Sequence, residues 1–460
     1  VVKRPANSAS VDAKGGGSNG RGTETCYKRS MGRTQVARGS CSRSTSVLAR
    51  LSLNGALACC FACSATPNSH GPNSATRAQA TATVASDAGG VFNFPEQTAS
   101  PLGVSQVPPA LAPFFAQCKL GDAALARVAE RFARRQAEGN APLDVSEISF
   151  ALRAEGSPYV WPRAWTLEGG DLASPAAVER MHGWLASFDD GGERRCGLAL
   201  ATTGDRRVLS AVAIDALADL EPLPVRLRVG TWLDVNASVL VPTSEAKVIV
   251  LGPSGAPYAV PTTFDGRHAR ARFHADRRGP FLIQLLANVA GGPRPVLEAT
   301  VYADTLPPTS YFGDAAPGEP AEPLPAHADP TGALLAMVNQ ARRAEQSPPL
   351  ERDAALDGIA ERHAEAMRKQ KRIAHDAGDG DPRSRVEGAD LDVLATGENV
   401  AHNVDVTRAH RALWASPSHR ENLLQPRFDR IGIGVAVDPD GSIWVCEVFA
   451  DFPDQLDAPR

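Results

Sequence analysis

The sequence predicts an α+β chain in which a central β-sandwich domain lies between two α+β domains. Three observations lead to this prediction. Apolar residues recur at helical spacing around residues 122–133 and again within 331–370. About seven short strand patterns follow one another between residues 221 and 305, as is usual in immunoglobulin-like sandwiches. A segment rich in Pro, Ala and Glu, 306–329, separates this region from the last quarter of the chain.

Residues 1–63 are predicted to be a leader. The first ~50 residues contain many Lys and Arg residues but almost no acidic residue, and a short apolar stretch, Leu51–Cys63, follows. This order is typical of a secretory signal peptide, whereas a transmembrane helix needs about 20 apolar residues. We interpret Met31 as the functional start. Residues 1–30 are then either upstream sequence or a disordered extension.

Cys59 is a candidate for lipidation. The preceding Ala56-Leu57-Ala58 resembles a bacterial lipoprotein box, although Ala56 stands where Leu is usual. Residues 64–112, rich in Ser, Thr, Ala and Asn, are predicted to be a disordered tether because such a composition buries little apolar surface. We therefore expect an exported protein, either an envelope lipoprotein or a free extracellular protein. Contact with a membrane is expected only through the lipid anchor.

The charge and the cysteines limit the partners further. A formal net charge of -4 gives the chain no overall basic character, so we expect no nucleic-acid partner. Of eight cysteines, only Cys118, Cys196 and Cys446 lie beyond the leader. Cys118 and Cys196 are a candidate disulfide in an oxidising compartment, and Cys446 is expected to be a buried small residue.

Residues 113–220 form the first predicted α+β domain. It begins with a helix near 122–133, whose N-cap candidate is Asp122, and ends in strand patterns at 196–200 and 208–214. The sandwich, 221–305, contains no convergent polar cluster and is interpreted as a spacer or adaptor. The linker, 306–329, leads to the third block.

Residues 330–452 form the second predicted α+β domain. Helices are expected over Thr331–Ala344, Asp353–Gln370 and from Thr407 into Trp414. Two alternating apolar runs, 431–437 and 442–449, are joined by Asp-Pro-Asp-Gly, which predicts a β-hairpin.

An internal repeat relates the two α+β domains. The pattern of residues 122–133 recurs at 353–364, Arg153–Gly156 resembles Arg385–Gly388, and strand patterns follow in the same order. No histidine of the first domain falls opposite His375. The first domain is therefore predicted to be a degenerate copy of the second that serves a structural or partner-binding role.

The third block resembles the CAP superfamily of cysteine-rich secretory proteins, antigen 5 and pathogenesis-related proteins, in particular its bacterial SCP-like branch. The matching residues follow one another over nearly all of 330–452: Val338–Arg342, Pro349-Leu350, Asp353–Leu356, Ala364–Met367, His375, Gly397–Ala401, Trp414–Leu424 and Ile431–Ala436. This resemblance implies an α-β-α sandwich with a surface cleft that contains a His/Glu cluster.

The resemblance assigns the cleft to His375, Glu398 and His419. A second glutamate, which many eukaryotic members have three positions after the helix tryptophan, is replaced here by Pro417. Residues expected to surround the cleft are Asn399, His402, Ser416, Arg420 and Asn422. Each cleft residue also has a structural reading: Glu398 can bind backbone amides, His375 can cap a helix end, and His419 can anchor a loop.

These residues predict a binding module for a divalent metal, a lipid, a peptide or a glycan. Two imidazoles, His375 and His419, together with one carboxylate can hold zinc or another divalent cation with open positions. One alternative is a metal-assisted hydrolase with Glu398 as the general base. Another is a purely structural cell-surface protein. The block contains no HExxH motif, GxSxG motif or nucleophilic Cys–His pair, so catalysis is the less favoured reading.

Overall fold

The fold was analysed in a computed structural model, which describes residues 91–100, 107, 109–140, 143–172, 174–311, 313, 315–321, 324–325 and 328–453. The predicted leader, Met31 and Cys59 lie outside these residues. Over the described ranges, no helix is both long and apolar enough to span a membrane. The three domains lie within one compact unit, Thr81–Arg460.

The N-terminal domain packs helices against a four-stranded sheet. In chain order its elements are β1 (Gln97–Thr98), a 3-10 helix (Pro109–Gln117), β2 (Leu120–Gly121), α1 (Ala123–Ala137), α2 (Val145–Ala154), β3 (Arg163–Glu168), α3 (Pro175–Ala186), β4 (Glu193–Thr203) and β5 (Arg206–Ala216). The strand order in the sheet is β2-β4-β5-β3. Cys118 and Cys196 are joined by a disulfide that ties the start of this domain to β4.

The central domain consists of two facing sheets. Its strands are β6 (Ala218–Leu220), β7 (Leu223–Pro224), β8 (Arg226–Leu227), β9 (Trp232–Val239), β10 (Ala246–Leu251), β11 (Tyr258–Val260), β12 (Thr262–Phe264), β13 (His268–His274), β14 (Gly279–Val289) and β15 (Gly292–Ala303). One sheet has the order β11-β10-β14-β15-β8 and the other β12-β13-β9-β6. Alternate residues of β9 and β13 are buried between the sheets, as the period of two in the sequence predicts.

The C-terminal domain places a four-stranded sheet between helices. Its elements are α4 (Pro330–Ala344), β16 (Glu351–Arg352), α5 (Ala354–Gln370), α6 (Pro382–Glu387), β17 (Ala395–Asn403), α7 (Val406–Ala415), α8 (Pro417–Leu424), β18 (Arg430–Val437) and β19 (Ile443–Asp451). The strand order is β16-β18-β19-β17. One apolar cluster fills the side of α4 and α7, and a second fills the side of α5.

The two α+β domains have corresponding sheets. In each, a two-residue strand runs parallel to the first strand of the final hairpin, whose second strand pairs with the remaining strand. Asp122 and Asp353 each cap the following helix through the side chain. Gly197 and Gly432 let α1 and α5 approach the sheet so closely that a Cβ would lie about 2 Å from helix backbone atoms. These features support the predicted duplication, which stays a prediction.

Parts of the predicted tether and of the predicted linker pack against the domains. Within the predicted tether, Phe92 and Thr98 are buried, and β1 pairs with β7. The tether prediction is therefore wrong for residues 91–100, because aromatic residues follow the small polar ones. In the linker, Ala316 is buried and Glu319 forms an ion pair with Arg411 of α7. The linker consequently packs against the C-terminal domain.

Candidate functional site

Glu398 lies in the middle of β17, opposite Val448 of β19, and its side chain is 1% exposed. Its Oε1 is 2.8 Å from Nδ1 of His375 and 3.7 Å from Nε2 of His363. Its Oε2 accepts a short hydrogen bond from Arg385 and a 3.4 Å contact from the Cys446 thiol. Both carboxylate oxygens are therefore occupied by protein donors.

The basic neighbours determine the charge state of Glu398. Burial alone raises the pKa of this carboxyl, but the hydrogen bond and charge of His375, followed by Arg385 and His363, outweigh it and hold the pKa below its ordinary value. The same surroundings act in the opposite sense on Cys446. Burial and the adjacent Glu398 charge raise the thiol pKa well above its ordinary value, so Cys446 is an unreactive buried thiol.

His375 is positioned by the loop that follows α5. The helix ends at Lys371, which adopts a left-handed conformation with φ 52°. His363 of α5 fixes the loop, because its Nδ1 is 2.8 Å from Asp379 and its Nε2 is 2.9 Å from the Ala374 carbonyl. Arg385 donates to the His375 carbonyl at 2.9 Å. One histidine thus holds the loop that carries the other.

His419 lies on α8 and is half-buried, with its Nδ1 atom shielded from water. Burial, reinforced by His375, lowers its pKa to about 3, so the imidazole is neutral at pH 7. Its Nδ1 has no hydrogen-bond partner in the part of the chain that the structure describes. The described residues include no hydrogen bond or ion pair between His419 and Glu398. The predicted triad is therefore a direct His375–Glu398 contact with His419 beside it.

A second buried carboxylate lies on the opposite face of the same sheet. Glu447 Oε2 accepts a 3.1 Å hydrogen bond from Asn399, whereas its Oε1 has no partner within the described ranges. Burial raises the pKa of Glu447 to about 7. Asn399 also donates to the His419 carbonyl, and Asn422 bonds both Asn399 and the Glu398 carbonyl. Asn399 and Asn422 therefore link the Glu447 carboxylate and the His419 carbonyl to the backbone of Glu398.

The β-sandwich contributes directly to the site. Gln284 of β14 is buried, donates to Ser416 Oγ at 3.1 Å and accepts from the Ser418 N–H at 3.0 Å. At the β14–β15 turn, the Gly291 carbonyl accepts the N–H groups of both His375 and Asp376. The sandwich thereby contacts both segments that carry the cleft histidines. Nothing in the sequence indicated this role.

The remaining predicted neighbours have structural contacts. Arg420 donates to the Trp414 carbonyl at 2.6 Å and lies over the indole ring, which braces the turn between α7 and α8. His402 stacks on Trp444 with ring centroids 4.1 Å apart and contacts Ser442. His402 is thus directed along the sheet to these residues rather than to Glu398.

The side chains do not fit the predicted metal site. Within the described ranges, no group of three or more His, Cys, Asp or Glu side chains is arranged to hold a metal ion. Glu398 already receives hydrogen bonds from His375 and Arg385. The positively charged guanidinium of Arg385, which contacts the same carboxylate, repels a cation. We therefore derive no chemistry through zinc or another divalent cation.

Two cavities border the C-terminal domain and the sandwich. The larger, about 540 Å³, adjoins the loop after α5 and is lined by Gly291, Gln370, Arg372, Asp376, Ala377 and Gly378. The smaller, about 260 Å³, is lined by Lys247, Ala395, Thr396, Glu421, Asn422, Gln425, Arg427 and Phe428. Charged and amide side chains contribute to both linings.

Comparison with known proteins identifies the C-terminal domain. Residues 335–448 match the model of the family described as "CAP: Cysteine-rich secretory protein family". None of the curated proteins matches the sequence.

Solved structures give weaker likenesses. An outer surface protein from Borrelia burgdorferi is 24% identical over 26% of this chain and 92% of its own, with a TM-score of 0.26. An extracellular protein containing a SCP domain from Bacillus anthracis is 15% identical over 51% and 86%, with a TM-score of 0.25. A cysteine-rich secretory protein from Staphylococcus aureus is 16% identical over 52% and 81%, with a TM-score of 0.24. The family match alone supports the assignment: the C-terminal domain of this chain belongs to the CAP superfamily.

Proposed function

We propose that this chain is an exported binding protein whose CAP domain and β-sandwich together form a cleft for a polar peptide or glycan segment. The observation that carries the proposal is that His375 and Arg385 occupy both carboxylate oxygens of Glu398. A general base needs a free lone pair directed at the substrate and a pKa near the working pH. Glu398 has a lowered pKa and two occupied oxygens, which favours binding over hydrolysis.

The larger cavity supports a polar ligand. Its lining combines the guanidinium of Arg372, the amide of Gln370, the Asp376 carboxylate and backbone groups of two glycines. Arg372 is exposed and has no ion-pair partner among the residues that the structure describes. Such groups hydrogen-bond to peptide or sugar groups.

Export is supported by two observations of different kinds. The leader pattern is that of a secretory signal, and the Cys118–Cys196 disulfide is stable in an oxidising compartment. Anchoring through Cys59 is an additional proposal. It predicts that a Cys59→Ala variant moves from the membrane fraction to the soluble fraction.

The proposal is tested by screening the labelled full chain against arrays of short peptides and of oligosaccharides. Hits are then measured by calorimetry with the Arg372→Ala variant and with Arg362→Ala, an exposed arginine of α5, as the matched control. We expect Arg372→Ala to weaken binding about tenfold, as for one lost charge-assisted hydrogen bond. The control should bind like the unmodified chain.

Three results would contradict the proposal. Absence of any hit on either array favours the structural reading. Equal affinity of the two variants removes the cavity as the binding site. Turnover of a hit that is lost in a Glu398→Gln variant still folded by circular dichroism would establish the hydrolase instead.

A further inference from the structure

The N-terminal sheet ends at β3, whose outer edge pairs with no other strand among the described residues. The pairing of β3 with β5 shows which backbone groups lie on that edge. The Gly169 N–H donates to the Arg207 carbonyl, in register with the β3–β5 pairs. Because hydrogen-bonded residues alternate along an antiparallel pair, Ala164, Thr166 and Glu168 direct their N–H and C=O groups away from β5. These groups form a template for a further strand.

The corresponding edge of the CAP domain is covered by α8. There β17 is the edge strand, and Asn422 of α8 donates to the Glu398 carbonyl at 3.0 Å. Glu398 and Ala164 hold corresponding places, because each pairs with the valine opposite the glycine that touches α5 or α1. In the N-terminal domain, residues 187–192 join α3 to β4 without a helix. Every residue of β3 is consequently at least partly exposed, whereas four successive residues of β17 are buried.

The sequence of β3 fits a second copy of itself. In an antiparallel pair related by a twofold axis, opposite side chains lie on the same face, so the axis has to pass at a residue. With the axis at Thr166, the two Thr166 residues form a hydrogen-bonded pair, and each Trp165 lies opposite Leu167 of the second copy. The Trp165–Leu167 pairs are then of the type that brings side chains closest. Both side chains are partly exposed beside α3, so this contact buries apolar surface.

We propose that two copies of this chain associate through β3, which joins the two N-terminal sheets into one antiparallel sheet. Cross-strand threonine pairs and apolar pairs stabilise such a sheet. An axis at Trp165 would instead place Arg163 opposite Leu167, so the axis at Thr166 is favoured. One short strand buries less surface than a tight interface needs, and the dimer is therefore weak. This association belongs to the N-terminal domain and does not depend on the function proposed for the CAP cleft.

Sedimentation velocity of the full chain from about 1 to about 100 μM measures the association. We expect a monomer–dimer equilibrium that shifts towards the dimer across this range. Thr166→Lys places two ammonium groups opposite each other at the axis and should weaken dimerisation at least about tenfold. Thr263→Lys changes an exposed threonine on β12, an edge strand of the sandwich, and is the matched control. It should associate like the unmodified chain. Circular dichroism checks that both variants stay folded.

Thr166→Cys tests the position of the axis. A short bismaleimide should join two chains through this position, and mass spectrometry of the linked peptides should show it joined to itself. Thr263→Cys is the control and should give no such link. The proposal is overturned if the unmodified chain stays monomeric at about 100 μM or if Thr166→Lys associates as strongly as Thr263→Lys. It is also overturned if Thr166→Cys links only to a cysteine of its own chain, because another segment then covers β3.

Discussion

At the scale of single residues, the CAP site is defined by how each buried charge is compensated. Glu398 is charged because His375, Arg385 and His363 surround it, whereas burial raises the pKa of Glu447 to about 7 and keeps that carboxyl neutral at acidic pH. His419 is neutral for the same reason as Glu447, since burial disfavours its charged form. Of the two buried carboxylates on opposite faces of this sheet, Glu398 is thus stabilised in its charged form and Glu447 in its neutral form.

Replacing Glu398 with Gln should destabilise the chain. The substitution removes the carboxylate that both His375 and Arg385 contact through short hydrogen bonds, and it leaves Arg385 buried without that partner. Loss of one member of a buried ion pair costs about 3 to 5 kcal/mol. We expect a clear fall in the urea midpoint of the CAP domain. Glu387→Gln, which loses only an exposed ion pair with Arg383, should change the free energy of unfolding by less than about 1 kcal/mol.

Glu447 should make stability fall as pH rises. Its pKa is about 7 in the folded chain and about 4.5 when unfolded, so the folded state binds the extra proton between these values. The penalty is absent below pH ~4.5 and complete above pH ~7, where it amounts to about 3 kcal/mol. Glu447→Gln should therefore gain stability relative to the unmodified chain as pH rises through this window.

The effect of Glu447 must be measured as the difference in unfolding free energy between Glu447→Gln and the unmodified chain, because other groups also titrate in this range. The pKa of His419 is lowered to about 3. Its contribution to the free energy of unfolding therefore rises with pH between about 3 and 6.5 and opposes the contribution of Glu447. Urea unfolding at several pH values separates the two contributions. Glu361→Gln, an exposed change on α5, is the control. A difference between Glu447→Gln and the unmodified chain that stays constant with pH would refute the assignment.

At the scale of elements, the regular segments were the most predictable. The helices Pro330–Ala344 and Ala354–Gln370 and the hairpin of β18 and β19 follow from N-capping aspartates, apolar periodicity and the Asp-Pro-Asp-Gly turn. The strand character of β17 was missed because Gly397, Glu398 and Asn399 are poor strand formers. Buried neighbours on both faces override that preference.

The site residues outside the family motifs were only partly predictable. His363 falls on the buried stripe formed by Leu356, Ile359, Ala360 and Met367, but the sequence left open whether it faced the helix surface or the core. Arg385 and Gln284 gave no such signal. Their contacts depend on how a loop folds and how two domains meet, which a single sequence does not encode locally.

The turn between β14 and β15 gives a prediction at this scale. Gly292 has φ 111°, and a Cβ there would lie 2.8 Å from Cβ of His375. Gly292→Ala should therefore cost backbone strain of about 1 to 2 kcal/mol plus a steric contribution of about 1 to 3 kcal/mol. Gly255→Ala, with φ 87° and open space around it, carries the strain alone. Urea midpoints that fall equally in both variants would contradict the close approach to His375.

At the scale of the whole molecule, one partly buried polar network, with Gln284 fully buried at its centre, links all three domains. Arg153 of α2 lies 3.6 Å from Glu298 of β15, Glu298 accepts a 2.7 Å hydrogen bond from Gln284, and Gln284 binds Ser416 and Ser418 of the CAP domain. Burial raises the pKa of Glu298 above its ordinary value. Buried polar groups are costly unless paired, so this network favours one relative placement of the domains.

Breaking this network should loosen the junction of the sandwich with the CAP domain. Gln284→Ala removes the bonds to Ser416 and Ser418, and we expect faster hydrogen exchange in α8 and faster proteolysis near residues 306–329. Asn288→Ala, at an exposed position of the same strand, is the control. Unchanged exchange in α8 would show that the Gln284 contacts do not hold the junction.

Because the Gly291 turn contacts the CAP domain, a fragment used to measure binding has to contain the β-sandwich as well. A fragment that begins at α4 contains every residue of the CAP family match, yet it lacks the carbonyl that holds the His375 and Asp376 amides and the glutamine that holds α8. In that fragment the cavity loses one wall. The cleft that we propose is therefore built by two domains, and we expect mutations in the sandwich to alter ligand binding without changing any residue of the family motifs.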